Sequence, residues 1–135
     1  MDAFIIAVPF LLFSLSVIAK PVHLDCTTID PKEKGSSYNF TIKLNKDNKK
    51  VTHTEQERVF NAIGFFSTNE ISYKKIDRIG GAISSEKFKI NRTTLAIQID
   101  YLLEAADPQY RSPHSTIAYV QKGSCYIIEE KNRKI

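Results

Sequence analysis

The chain has 135 residues, of which 42% are hydrophobic and 25% charged, with a formal net charge of +4. This length holds one domain and excludes two that each bury a core. Charges of both signs are spread along the chain, which excludes a disordered polyelectrolyte.

The chain opens on an uncharged apolar run, Ala3–Ala19, that ends in Val-Ile-Ala before Lys20. It reads as a secretory signal peptide, residues 1–19, cleaved after Ala19. The alternative is a membrane anchor left uncleaved over residues 3–19, because the n-region holds Asp2 and no Lys or Arg. At ~1.5 Å per residue that run spans about 25 Å, short of a hydrocarbon core of ~30 Å. The leader reading therefore places residues 20–135, a single β domain, outside the cytoplasm, periplasmic or secreted. No stable membrane span is expected once the leader is gone.

From there the pattern is mainly period two, which predicts strands. Tyr38, Phe40, Ile42 and Leu44 alternate with polar residues, and Asn45-Lys46-Asp47-Asn48 follows as a turn. Val51-Thr52-His53 begins a return strand. Thr54-Glu55-Gln56-Glu57 carries a capping-box pattern, so a turn of helix is an option before a strand over residues 60–67. Ile71–Ile76 is a further strand, broken by Gly80-Gly81 before Ala82-Ile83. Leu95, Ile97, Ile99, Tyr101 and Leu103 give the cleanest alternation, with residues 102–106 able to curl into a helical turn. Pro108 and Pro113 punctuate a long loop, Ala106–Ser115. Ile117, Tyr119, Cys125 and Ile127 close the sheet, with Gly123 expected as a bulge or kink. The predicted fold is mainly β: an antiparallel sandwich or small up-and-down barrel behind an N-terminal helical leader.

Cys26 and Cys125 stand near the two ends of the exported part. In an oxidising compartment such a pair forms one disulfide; in the cytoplasm it would be two reduced, buried thiols. No metal or other cofactor is expected. His23-Leu24-Asp25-Cys26 sets His23 and Asp25 on one strand face, and His53 or His114 could join them, yet Cys26 is expected in the disulfide and no second close-spaced ligand pair exists. His53 and His114 are candidate bases beside Ser112 and Ser115, but no strained nucleophile turn or oxyanion motif accompanies them. Asp100 and Glu104 are candidate paired carboxylates without a recognisable cleft. Lysines cluster at 43–50 and 74–75, with more in the tail, and read as solvated surface; a nucleic-acid partner is not expected. Asn39-Phe40-Thr41 and Asn91-Arg92-Thr93 fit the glycan acceptor pattern. The expected binding loops are the Gly80-Gly81 turn and residues 106–115, with Tyr110, Arg111 and His114 as their chemistry-bearing side chains.

Cys26, the alternating strand after it, Ile76-Asp77-Arg78-Ile79-Gly80 and the terminal Gly123-Ser124-Cys125 form a pattern. It resembles small exported bacterial β proteins that carry an Ile-Asp/Asn-Arg-x-x-Gly turn before a final Gly-x-Cys. The resemblance implies a disulfide-closed β domain and no activity; the 105–115 loop departs from their tighter last hairpin. A second likeness is to periplasmic lysozyme inhibitors, small β-barrels that also pin early and late cysteines together. Their inserting Ser-x-Gly-x-x-Tyr loop is missing here, and Gly80-Gly81-Ala82 does not replace it. The expected function is thus a non-catalytic exported domain that binds a protein or an envelope component. An inhibitor of a wall-degrading enzyme is the alternative, and a secreted hydrolase using His114 the third.

Overall fold

The computed structural model describes residues 20–33 and 35–129. The signal-peptide reading and the charged tail lie outside them. Among the described residues no helix is long and apolar enough to cross a membrane.

Among the described residues nine strands follow in chain order: β1 Val22–Ile29, β2 Ser37–Asn45, β3 Lys50–Glu55, β4 Arg58–Ile63, β5 Phe65–Phe66, β6 Glu70–Ile79, β7 Ala82–Asn91, β8 Ala96–Ala105 and β9 Ile117–Ile128. They form one sheet in the order β4-β3-β2-β1-β9-β8-β7-β6-β5. Every neighbouring pair is antiparallel. Of the two predicted β architectures, the chain adopts the up-and-down barrel, nearly closed. Its two edge strands, β4 and β5, are consecutive in sequence. They are one strand-length segment that changes partner at Gly64, the first half pairing with β3 and the second with β6. Gly64 donates its N–H to Lys49 O at 2.7 Å, and a Cβ there would stand 2.8 Å from Val51 Cγ2 and 2.9 Å from Phe66 Cε1. Only glycine lets the segment cross the seam without moving both neighbours. Counting β4 and β5 as one gives eight walls, a barrel just wide enough to be filled by side chains or to hold one small ligand.

Alternation decides what fills it. Leu24 and Cys26, Phe40, Ile42 and Leu44, Val51 and His53, Ile71 and Tyr73, Phe88 and Ile90, Ile97 and Ile99 all point inward and are buried. Cys26 and Cys125 face each other directly across β1 and β9 and are joined in a disulfide. The Cys125 N–H turns away from β1 to Leu95 O on the β8 side at 2.9 Å. The cysteines are thus a non-hydrogen-bonded pair, the closer-spaced kind that brings side chains together.

Three local expectations are corrected. Thr54–Glu57 forms no helical turn. Thr54 and Glu55 end β3, Glu55 pairs with Arg58, and Gln56 takes φ 57° in the two-residue turn between them. The capping-box residues serve a hairpin because both flanks find ladder partners. Residues 102–105 likewise stay in β8, held between Ala82–Ser85 and Ile117–Ala118. Gly123 makes no bulge: register runs unbroken through it on both sides. It is required for close approach, since a Cβ there would lie 1.8 Å from Thr27 O and 2.7 Å from Thr28 Cα. Both are backbone atoms and cannot rotate aside. Gly123→Ala should force β1 from β9 beside the disulfide and lower stability by about 2–3 kcal/mol, read by denaturant unfolding. A loss under ~0.5 kcal/mol would mean that the strands are not packed this closely.

Candidate functional site

An up-and-down barrel sends alternate connections to opposite ends. The β1–β2 loop, the Gln56-Glu57 turn, the Gly80-Gly81 turn and the 106–116 connection therefore share one end. The two loops expected from sequence to bind are directly joined there, the Ala106 N–H donating to Gly81 O at 2.8 Å. Gly80, at φ 60°, makes the tight turn that this geometry requires.

This end is polar because β3, β6 and β7 change character along their inward faces. Val51 and His53 give way to Glu55, Tyr73 to Lys75, and Phe88 to Glu86. A cavity of about 220 Å³ opens among them, lined by His53, Glu55, Lys75 and Glu86, with Phe60 and Phe88 as aromatic walls and Gln56 and Arg58 at its turn.

His53 forms the floor. It is 2% exposed and lies between Phe40 and Phe60, with ring centroids at 4.6 and 4.7 Å. Its Nδ1 is 2.8 Å from Tyr73 Oη and its Nε2 is 3.5 Å from Glu55 Oε1. A carboxylate only accepts, so Nε2 carries the proton, and Tyr73 donates to Nδ1. Burial pushes the Tyr73 phenol well above its ordinary range, which keeps that donor protonated. Tyr73 in turn stacks on Phe88 at 4.5 Å with the rings 5° from parallel. Among the described residues no buried side-chain polar atom lacks a partner.

The two carboxyls of the mouth are pushed in opposite directions. The hydrogen bond from His53, assisted by the charges of Lys75 and Arg58, holds Glu55 below its ordinary value. Burial raises Glu86, and nearby Lys75 only partly offsets it. Lys75 Nζ lies 5.1 Å from the Phe60 ring centroid and 3.6 Å from Asp77 Oδ2. A raised carboxyl favours the folded state only while it is protonated. Stability from Glu86 is therefore full below its unfolded value near 4.5 and is lost as pH rises through the raised folded value. Glu86→Gln should match the parent at pH 4 and exceed it at pH 7 in chemical denaturation. A variant less stable at pH 7 would contradict the burial argument.

On the far side of the mouth Tyr101 and Tyr119 stack at 4.6 Å, with Lys32 Nζ 5.3 Å from the Tyr119 centroid. The 106–115 loop is braced from within. Asp107 caps a short 3-10 turn, Pro108–Tyr110, and accepts from Gln109 N. Arg111 Nε donates to Ala105 O at 2.8 Å, and its Nη1 lies 3.7 Å from Glu104. Tyr110 is 68% exposed. Ser112 and Ser115 hydroxyls lie 3.1 Å apart and bond each other's backbone N–H, so both are engaged in their own turn. His114 is exposed in the same loop.

The remaining candidates do not converge. His23 and Asp25 lie on the side of β1 opposite the inward Leu24 and Cys26, where His23 is buried and Asp25 accepts from Tyr126 Oη at 2.8 Å. Among the described residues no group of three or more His, Cys, Asp and Glu side chains could hold a metal. Asp100 is bound to Gln98 and Lys89, on the face opposite the inward Ile99. Asn39 faces outward and accepts from Thr27, while Asn91 caps the β7–β8 turn by accepting from Thr93 N and Thr94 N. Of the residues at the mouth, His53 is a candidate from the sequence; Glu55, Tyr73, Lys75 and Glu86 are identified as site residues only by the fold. The available signal was alternation: each sits two residues from an inward-facing neighbour. Set against family models, curated proteins and solved structures, the chain matches none.

Proposed function

We propose that the chain is an exported, non-catalytic binding protein that takes a polar portion of a cell-envelope component into the mouth of its barrel. The observation that carries this reading is convergence. The Gly80-Gly81 turn, the 106–115 loop and a mixed-charge, aromatic-walled cavity lie at one end of a stapled scaffold. Polar groups convergent in a concave, partly aromatic site are the usual marks of ligand binding. A non-catalytic role is supported by His53, both of whose ring nitrogens are engaged and both of whose faces are covered. Export is supported by the disulfide together with the leader-like sequence.

A second reading is favoured by the bracing of the 106–115 loop and the exposure of Tyr110: insertion into the cleft of a wall-degrading enzyme. One experiment separates the two from a hydrolase. Soluble wall fragments are mixed with the protein, alone and with a muramidase, and binding, turnover and inhibition are followed. Binding without turnover, weakened about tenfold or more by Lys75→Glu, supports the binding protein. Inhibition lost in Tyr110→Ala supports the second reading. Cleavage of the fragments overturns both. Mass spectrometry of the exported protein should find Lys20 as its first residue; retention of Met1 would contradict export by a cleaved leader.

A further inference from the structure

The opposite end of the barrel has a different chemistry. Lys20 before β1, the 46–49 turn, the Gly64 seam and the β7–β8 turn all lie there. Leu24, Leu44, Ile71 and Ile90 form a buried floor, and above it a cavity of about 250 Å³ opens, walled by Phe66 and Leu95. That exceeds the ~150 Å³ apolar cavity able to take up a benzene molecule. Every charged side chain in the lining is a cation: Lys20, Lys46 and Arg92. They come from three separate segments. Among the described residues none of the three is in an ion pair, although Lys75, Lys89 and Arg111 each lie within 4 Å of a carboxylate elsewhere. Asp47, beside Lys46 in its turn, is not part of the lining. Arg92 is fixed toward this end by donating from Nη1 to Ser67 O, while its own N–H bonds Asn69 O.

We propose that this end of the barrel is a second binding site, for a single-chain amphiphile with a carboxylate headgroup. Its alkyl chain occupies the cavity and its carboxylate lies among Lys20, Lys46 and Arg92. An apolar chain leaves water for the floor and walls, which is the main attraction. Uncompensated positive charge at the rim selects an anion over a neutral or cationic head. The cavity's size fits one chain rather than the paired chains of a bilayer lipid. This site does not depend on the polar mouth, from which the packed aromatic core separates it.

The test is calorimetric titration of the purified protein with octanoate, decanoate and dodecanoate, beside decanol and decyltrimethylammonium. Each added methylene should tighten binding about fourfold until the cavity is full. Decanol should bind about tenfold more weakly than decanoate, and the cationic amphiphile more weakly still. The pair Lys20→Glu and Lys46→Glu, both exposed and outside the core, should weaken decanoate about tenfold and leave decanol and the thermal melt unchanged. Equal binding of decanol and decanoate overturns the proposal, as does affinity independent of chain length. Sedimentation with phosphatidylglycerol vesicles without uptake of free decanoate would make this end a membrane-docking face instead. Failure of decanoate to bind because residues 3–19 of the chain itself fill the cavity overturns the proposal equally.

Discussion

Replacing Cys26 and Cys125 by alanine should lower the free energy of unfolding by about 4–5 kcal/mol. The bond joins residues 99 positions apart, and closing a loop of about that size removes roughly that much chain entropy from the unfolded state. Its place in the fold makes the loss more consequential than the figure alone. β1 and β9 are the first and last strands, and their ladder is where the two ends of the chain complete the sheet. Every other neighbouring pair is made of strands consecutive in sequence. Domains of this size have about 5–15 kcal/mol in total, so the variant should sit near the threshold of folding. Denaturant unfolding of the two forms measures the difference, and the midpoint of thermal unfolding should fall by roughly 20 °C. Reductant should reproduce the effect in the parent and have none in the variant. A loss below ~1 kcal/mol would mean that the β1–β9 ladder closes the barrel without its staple.

Phe88→Ala should cost about 4 kcal/mol and disable the polar mouth as well. Phe88 is 2% exposed and packs against four rings: Tyr73 at 4.5 Å, His53 at 4.9 Å, Phe60 at 6.1 Å and Phe40 at 6.3 Å. Truncating a buried Phe removes its transfer energy and leaves a cavity that a barrel wall cannot collapse to fill. It also strips Tyr73 of its stacking partner, and Tyr73 holds the His53 ring by its hydroxyl. Tyr73→Phe isolates that last effect: it leaves the buried Nδ1 of His53 without a donor, at a cost of about 1–3 kcal/mol. Because the two residues act through one stack, the double variant should lose less than the two single losses added. Unfolding of the four forms reads the coupling. Strict additivity would mean that Phe88 and Tyr73 serve the core independently and that the stack does not position His53.

How far the chain could be read beforehand depended on how local each signal was. Phe40, Ile42 and Leu44 in β2, and Ile97 and Ile99 in β8, show their burial through simple alternation. The Gly80-Gly81 turn needed only its own residues to be recognised. Gly64 and Gly123 could be seen as breaks, but their roles are set by atoms far along the chain, Val51 in one case and Thr27 in the other. Thr54–Glu57 shows the reverse failure: a helix signal complete in four residues yielded to the pairing of Glu55 with Arg58. The candidate site was legible in pieces. Alternation could place His53, Glu55, Lys75 and Glu86 inward, each on its own strand. That they meet follows from the register of β6 against β7 and from the β4–β5 segment that closes the barrel beside them. No period in the sequence records those two facts.

On the proposed function, the polar end of the barrel is where an envelope component binds. The most direct test of this is to follow backbone amide resonances of the labelled protein as soluble wall fragments are added. Shifts are expected at residues 55–60, Lys75, the Gly80-Gly81 turn and residues 84–86, extending into the 106–115 loop, with the Leu24 and Ile90 end unchanged. Shifts confined to the outer faces of β1 and β2, or none at saturating fragment, would contradict it.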